Sequence, residues 1–183
     1  MRRHLLFVIL LGFSTFCCAQ SSHRVAKSAI KPLTATDRRN YVITIDQNKV
    51  STLKYSRPKD NYYEKTVLFV PVKLTNNSND TLKYMTMSCS WEEFYMADRR
   101  EIATIPIEPC DKNIPKCLTL GPHKSVIVNV PVVKLQRGKR FRIGMALIKL
   151  NNHDNLFDLL NIGSYSIDKK DDNIIWSNTI ELP

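Results

Sequence analysis

The chain has 183 residues, 43% of them hydrophobic, with five glycines, nine prolines and a formal charge of +10. That is enough apolar residue for one buried core, and the low glycine content excludes collagen-like and low-complexity classes. A basic balance points either to anionic partners or simply to solubility.

The N-terminus reads as an export signal. Arg2 and Arg3 precede a nearly continuous apolar stretch over residues 5–16, and Cys17-Cys18-Ala19 supplies small residues before Gln20. Residues 1–19 therefore form a secretory signal peptide cut after Ala19, too short to cross a bilayer comfortably. A lipoprotein signal is the alternative, but it would put a small residue where Phe16 stands. Cleavage removes Arg2 and Arg3, which lowers +10 by two to +8, and leaves no transmembrane helix. The mature chain is then periplasmic, cell-surface or extracellular. Residues 20–40 are polar and basic without a period and read as a flexible arm. A single domain over 41–183 follows.

Short β runs fill that domain. Residues 41–46 form one, and 50–55 continue or return it after a turn at Gln47-Asn48. In residues 66–75, Leu68, Val70, Val72 and Leu74 alternate, so one strand face is apolar. Pro71 removes a backbone donor there, which predicts an edge strand or a bulge. Asn76-Asn77-Ser78-Asn79-Asp80 is a turn; it holds two glycosylation triplets, at Asn76 and Asn79, that read here as turn chemistry. Residues 81–91 read as the next strand, extended on to Tyr95, and 102–107 as a short one. The proline-rich 108–122 stretch is an irregular crossing. Val126, Val128, Val130 and Val132 alternate cleanly, the pattern of a half-buried antiparallel strand. Gln136-Arg137-Gly138-Lys139 reads as a hairpin turn into a central strand over 141–150. Residues 152–161 predict one short helical turn, and Ile174, Trp176 and Ile180 a last strand. About seven to nine strands with regular turn signals predict an all-β, antiparallel β-sandwich of immunoglobulin-like type.

Three cysteines remain after signal removal: Cys89, Cys110 and Cys117. An oxidising compartment allows one bridge among them and leaves one thiol. Cys110 and Cys117 bracket a short loop. Cys89 with Cys110 closes a longer one, tying a core strand to a long connection, and is the pairing expected here.

The runs L-T-N-N-S-N-D-T-L-K-Y, S-C-S-W, C-D-K-N-I-P, L-T-L-G-P-H-K-S and F-R-I-G-M-A, between residues 67 and 147, resemble small secreted immunoglobulin-like β-sandwich proteins of Bacteroidota-type bacteria. The resemblance implies fold and export, not an activity. The antibody-type hallmark is absent, because Cys89 and Trp91 would share a strand.

Chemistry-bearing motifs are sparse. Cys117 and His123, with His153 and Asp154, are the nearest approach to a nucleophile–base set, against the plainer reading of a thiol and surface histidines. No metal-ligand spacing is present, no phosphate loop and no specific nucleic-acid signal. A carboxylate site from Asp154, Asp158 and Asp168 reads better as a solvated loop. Adjacent Glu92 and Glu93 on a strand would face opposite ways. The best cluster is Lys134, Arg137, Lys139, Arg140 and Arg142 around the predicted hairpin, with Phe141 among them, an arrangement suited to phosphate, sulfate or uronate. Its plainer reading is a solvated strand that blunts edge pairing. The expectation is a non-enzymatic envelope domain without cofactor or metal, binding or scaffolding an envelope protein or an anionic polysaccharide. The alternative is a protein-interaction module using an exposed sheet edge such as the Pro71 strand; a cysteine-dependent enzyme comes third.

Overall fold

The computed structural model describes residues 30–55, 65–106, 113–134, 140–156, 159 and 171–181. A helix, α1 (Ala35–Asn40), leads into β1 (Tyr41–Ile45) and β2 (Ser51–Tyr55). Then follow β3 (Lys65–Asn76), β4 (Leu82–Met87), β5 (Tyr95–Ala97), β6 (Ile102–Thr104), β7 (Pro115–Leu120) and β8 (Ser125–Lys134). The chain ends through β9 (Arg140–Phe141), β10 (Ile143–Ala146), β11 (Ile174–Trp176) and β12 (Ile180–Glu181). Every pairing among the described residues is antiparallel. The fold is all-β and sandwich-like, as the turn spacing predicts. The expected signal peptide over 1–19 and the expected hairpin turn over 136–139 lie outside the described residues.

One layer has the order β1-β3-β8-β6, with β2 also on β3. Hydrogen-bond parity explains how its central strands tolerate proline. Asn76 N donates to Lys124 O at 2.9 Å, so the even residues of β3 bond to β8 and the odd ones face the other neighbour. Pro71 is odd, and its missing donor faces β1 and β2. There the neighbour leaves the sheet, between the pairs Ile45↔Val72 and Ser51↔Phe69, and makes a 3-10 turn at Gln47–Lys49. Pro131 O accepts from Ile105 N at 3.1 Å, so its own missing donor faces β6, whose pairing begins at Thr104↔Val132. The Pro71 strand is thus central, not an edge. The irregularity that proline demands sits in the adjoining strand.

The other layer is held by the 140–150 run. β9 pairs with β12, and β10 lies between β11 and β5. Beyond them Tyr84 bridges to Lys149, Met85 N donates to Ile148 O at 2.9 Å, and Leu150 N donates to Lys83 O at 2.8 Å. β4 carries β7 on its far side. Residues 143–148 are all buried, as a central strand requires. β1 with β2, β4 with β5, β9 with β10 and β11 with β12 are runs broken by short turns. Counted as runs, the twelve strands among the described residues reduce to eight, within the expected range.

The run over 81–95 is broken where continuity was expected. β4 ends at Met87, and Trp91–Phe94 forms a 3-10 turn. The Ser88-Cys89-Ser90 segment favours side-chain bonds to nearby backbone over a ladder. Ser88 Oγ accepts from Ile114 N, and Asn113 Oδ1 accepts from Cys89 N and Ser90 N. Cys89 and Trp91 therefore do not share a strand. Glu92 is buried and Glu93 exposed, separated by the turn and not by strand alternation.

The two layers enclose one core. Ile43, Val70, Val72, Val130 and Val132 from one side join Phe94, Phe141, Ile143 and Leu147 from the other. The edge of β1 is blunted by a side chain. Asn178 Oδ1 accepts from Ile45 N at 2.8 Å, and its Nδ2 donates to Ile45 O at 3.1 Å, so one amide substitutes for a neighbouring strand.

Part of the expected flexible arm is ordered. Thr34 caps α1 with a reciprocal capping box to Asp37, and Leu33 is buried. Arg38 donates to the carbonyls of Ile174 and Asp172, both at 2.7 Å, and Lys149 pairs with Asp37. The late helical turn is present at Leu159, whose N–H donates to Asn155 O at 3.2 Å.

At the α1 end of the layers lies Asn76, wholly buried. Its Nδ2 is directed at the carbonyls of Asp80 (2.7 Å), Leu120 (3.0 Å) and Gly121 (3.1 Å), and its Oδ1 accepts from Ser78 N and Oγ. One amide thereby ties the turn after β3 to the turn after β7. Asn76→Ala strands several buried polar groups and should destabilise the domain by about 3 kcal/mol in urea titration. A loss under about 1 kcal/mol would contradict this role.

Burial pushes the Asp37 carboxyl up, but hydrogen bonds from Lys149 and Thr34, with the Lys149 charge, outweigh it and hold the group below its ordinary 3.8. A depressed folded value stabilises the fold above the unfolded value and loses that contribution as pH falls through the folded one. Wild type should melt above Asp37→Asn at neutral pH, and the gap should narrow below about pH 4. A pH-independent gap would contradict it.

Candidate functional site

The basic cluster does not sit on a hairpin. β8 pairs with β3 and β6, whereas β9 pairs with β12, so Lys134 and Arg140 stand on strands that do not pair with each other. Lys134 consequently does not share a sheet face with Arg140 and Arg142. Arg137 and Lys139 lie outside the described residues.

Topology assembles a different basic site from separate segments. Lys134, exposed, pairs with Ile102 and so lies beside the turn after β5. That turn carries exposed Arg99 and Arg100, closed by Ile102 N donating to Arg99 O at 3.2 Å. Asp98 opens it, and Asp98 N donates to Arg142 O at 3.1 Å. Leu53, Val67 and Val133 form one row, so exposed Lys54 finishes the layer at the same end as Lys134. Lys54, Arg99, Arg100, Lys134, Arg140 and Arg142 thus occupy one end of the sandwich, with Asp98, Glu101 and Glu181. Arg99, Arg100 and Lys54 were not legible as site residues, since strand pairing alone brings them here.

The two strand arginines are held in similar ways. Arg142 Nε donates to Asp98 Oδ2 at 2.9 Å, and Asp98 Oδ1 accepts from Arg142 N at 2.8 Å. Arg140 Nε donates to Glu181 Oε2 at 3.1 Å. Side-chain exposure is 75% at Arg140 and 43% at Arg142. The Arg142 guanidinium lies 5.1 Å from the Trp176 ring centroid, a cation–π contact. Trp176 crosses Gly144, where an added Cβ would stand 2.8 Å from the ring. Glycine is needed there for the indole to lie across the strand. Phe141 between the arginines is buried in the core.

The cysteine–histidine set is not assembled as a hydrogen-bonded group. His123 Nε2 contacts Asn79 Oδ1 at 3.0 Å, and Cys117 Sγ lies 3.8 Å from Leu118 O. Asp154 Oδ2 accepts from Asn151 N and Nδ2, a local turn bond; His153 is exposed. Cys117 is a free, exposed thiol. Cys110, Asp158 and Asp168 lie outside the described residues. No cluster of potential metal ligands occurs among the described residues, and no helix among them is long and apolar enough to cross a membrane.

β7 presents another surface. Its described pairing is with β4 alone, and Lys116, Cys117, Leu118 and Thr119 are all exposed. Met85 N and Lys83 O face the 140–150 run, so the even residues of β4 and β7 bond to each other. The backbone groups of Cys117 and Thr119 are therefore directed outward.

Neither protein-family models nor curated proteins give a match to this chain.

Proposed function

We propose that this chain is an exported, non-enzymatic β-sandwich domain of the immunoglobulin-like kind, acting at the cell envelope by binding an anionic ligand. The observation that carries the reading is the convergence of Lys134, Arg99, Arg100, Arg140 and Arg142 at one end of the sandwich. Guanidinium groups on a rigid sheet are suited to sulfate, phosphate or carboxylate. Export rests on the signal-like residues 1–19 and places the domain in the periplasm, on the cell surface or outside the cell. The Bacteroidota-type resemblance belongs to the same reading. So does a Cys89–Cys110 bridge, supported by Cys117 being the free thiol among the described residues.

Binding to an immobilised sulfated polysaccharide tests the reading. Retention should fall steeply with salt, and Arg99→Glu with Arg100→Glu should weaken binding about ten-fold at low salt while the melting temperature holds. Salt-insensitive binding, or none, would contradict it.

The outward backbone groups of β7, which pairs with β4 alone among the described residues, favour a second reading, capture of a protein partner by strand addition. Thr119→Pro removes an outward donor and spares the bonds to β4. It should abolish capture of such a partner from envelope extract without altering the salt profile on the polysaccharide; unchanged capture would refute this reading.

A further inference from the structure

Resting on the anion-binding reading, we infer that the basic end selects an extended polyanionic polysaccharide over isolated anions, with Asp98 and Glu181 acting as internal competitors that set its affinity. The arginines are not idle cations awaiting a ligand. Each already spends its Nε on a carboxylate, Arg142 on Asp98 at 2.9 Å and Arg140 on Glu181 at 3.1 Å. A single sulfate or phosphate reaching one guanidinium exchanges one exposed charge pair for another, with little gain. Their partners stand on opposite sides of the shared run, Asp98 after β5 and Glu181 on β12, so one such ion meets both guanidinium groups only by giving up these carboxylate contacts. A chain carrying repeated anionic groups makes several exchanges while losing its translational freedom once.

The layout of the cations favours a flexible polymer over a bilayer. Arg140 and Arg142 project from the outer face of one layer, beside Trp176 and opposite buried Phe141 and Ile143. Arg99 and Arg100 lie on the turn, and Lys134 at the end of the other layer. This line bends from a sheet face around the end of the sandwich. A polysaccharide can follow such a bend, whereas a flat headgroup surface meets one side of it.

The carboxylates can be neutralised without dismantling the frame. Asp98→Asn keeps an oxygen to accept from Arg142 N, and Glu181 is anchored through its backbone, with Glu181 N donating to Gln47 Oε1 at 3.0 Å.

The test titrates the full mature chain with heparin, with inorganic sulfate and with anionic phospholipid vesicles, for wild type, Asp98→Asn, Glu181→Gln and the double variant. Each single variant should bind heparin about two- to five-fold more tightly, the double variant by near the product, and sulfate at matched equivalents should compete poorly. Heparin binding by wild type that is unchanged or weakened in the variants would overturn the competitor role and leave the anion reading standing. Equal competition by sulfate would overturn the selectivity. Vesicle binding without heparin binding would reassign the surface to a membrane and overturn the polysaccharide. Failure of every form to bind any probe would overturn the anion reading itself.

Discussion

The structure depends on the pairing of β3 with β8. Nine residue pairs, from Val67↔Val133 to Thr75↔Ser125, join segments far apart in the chain. Such a ladder repays the entropy of closing a long loop only if its register is unique, and alternation makes it so. Val70, Val72 and Leu74 must face the core together with Val126, Val128 and Val130. A slip by one residue would turn each set outward. The prolines reinforce this register, because each lies where its absent donor faces the other neighbour, so neither costs a bond within the ladder.

The two ends of the ladder have different tasks. At one end Asn76 N continues the pairing to Lys124 O, and its side chain gathers the surrounding turns. That end also receives α1, through Asn77 N donating to Asn40 O at 2.7 Å. There the Asn76 amide is turned inward and both its ends are hydrogen-bonded. At the other end stand Lys134 on β8 and, on the second layer, Arg140 beside Glu181 and Arg142 beside Asp98. The polar groups there are ionic and more exposed, with Arg142 held by Asp98 and the Trp176 ring and Arg140 by Glu181.

What the sequence made legible follows from local physics. The alternation of Val126 to Val132 and of Leu68 to Leu74 reports a face in water and a face in a core, and both strands formed there. The buried run over 143–148 was equally readable from its uninterrupted apolar character. What was hidden depends on which strands become neighbours. Arg137-Gly138 has hairpin chemistry, yet the strands on either side belong to different layers. The α1 helix lacked an apolar period, and its signal was the spacing of Thr34 and Asp37. The proximity of Arg99 and Arg100 to Lys134 was hidden too, because the β6–β8 pairing creates it. The Asn76 triplet matches a glycosylation signal, but the fold has buried the amide.

Residues 98–101, Lys134 and 140–142 come from three separate segments and meet at this end of the sandwich. Their action as one anion-binding surface is open to amide chemical-shift mapping of the isotopically labelled chain during titration with a sulfated polysaccharide. Perturbations should concentrate at residues 98–101, Lys134 and 140–142, saturate together, and vanish in high salt. Shifts centred on β7, or scattered over the surface without common saturation, would contradict it.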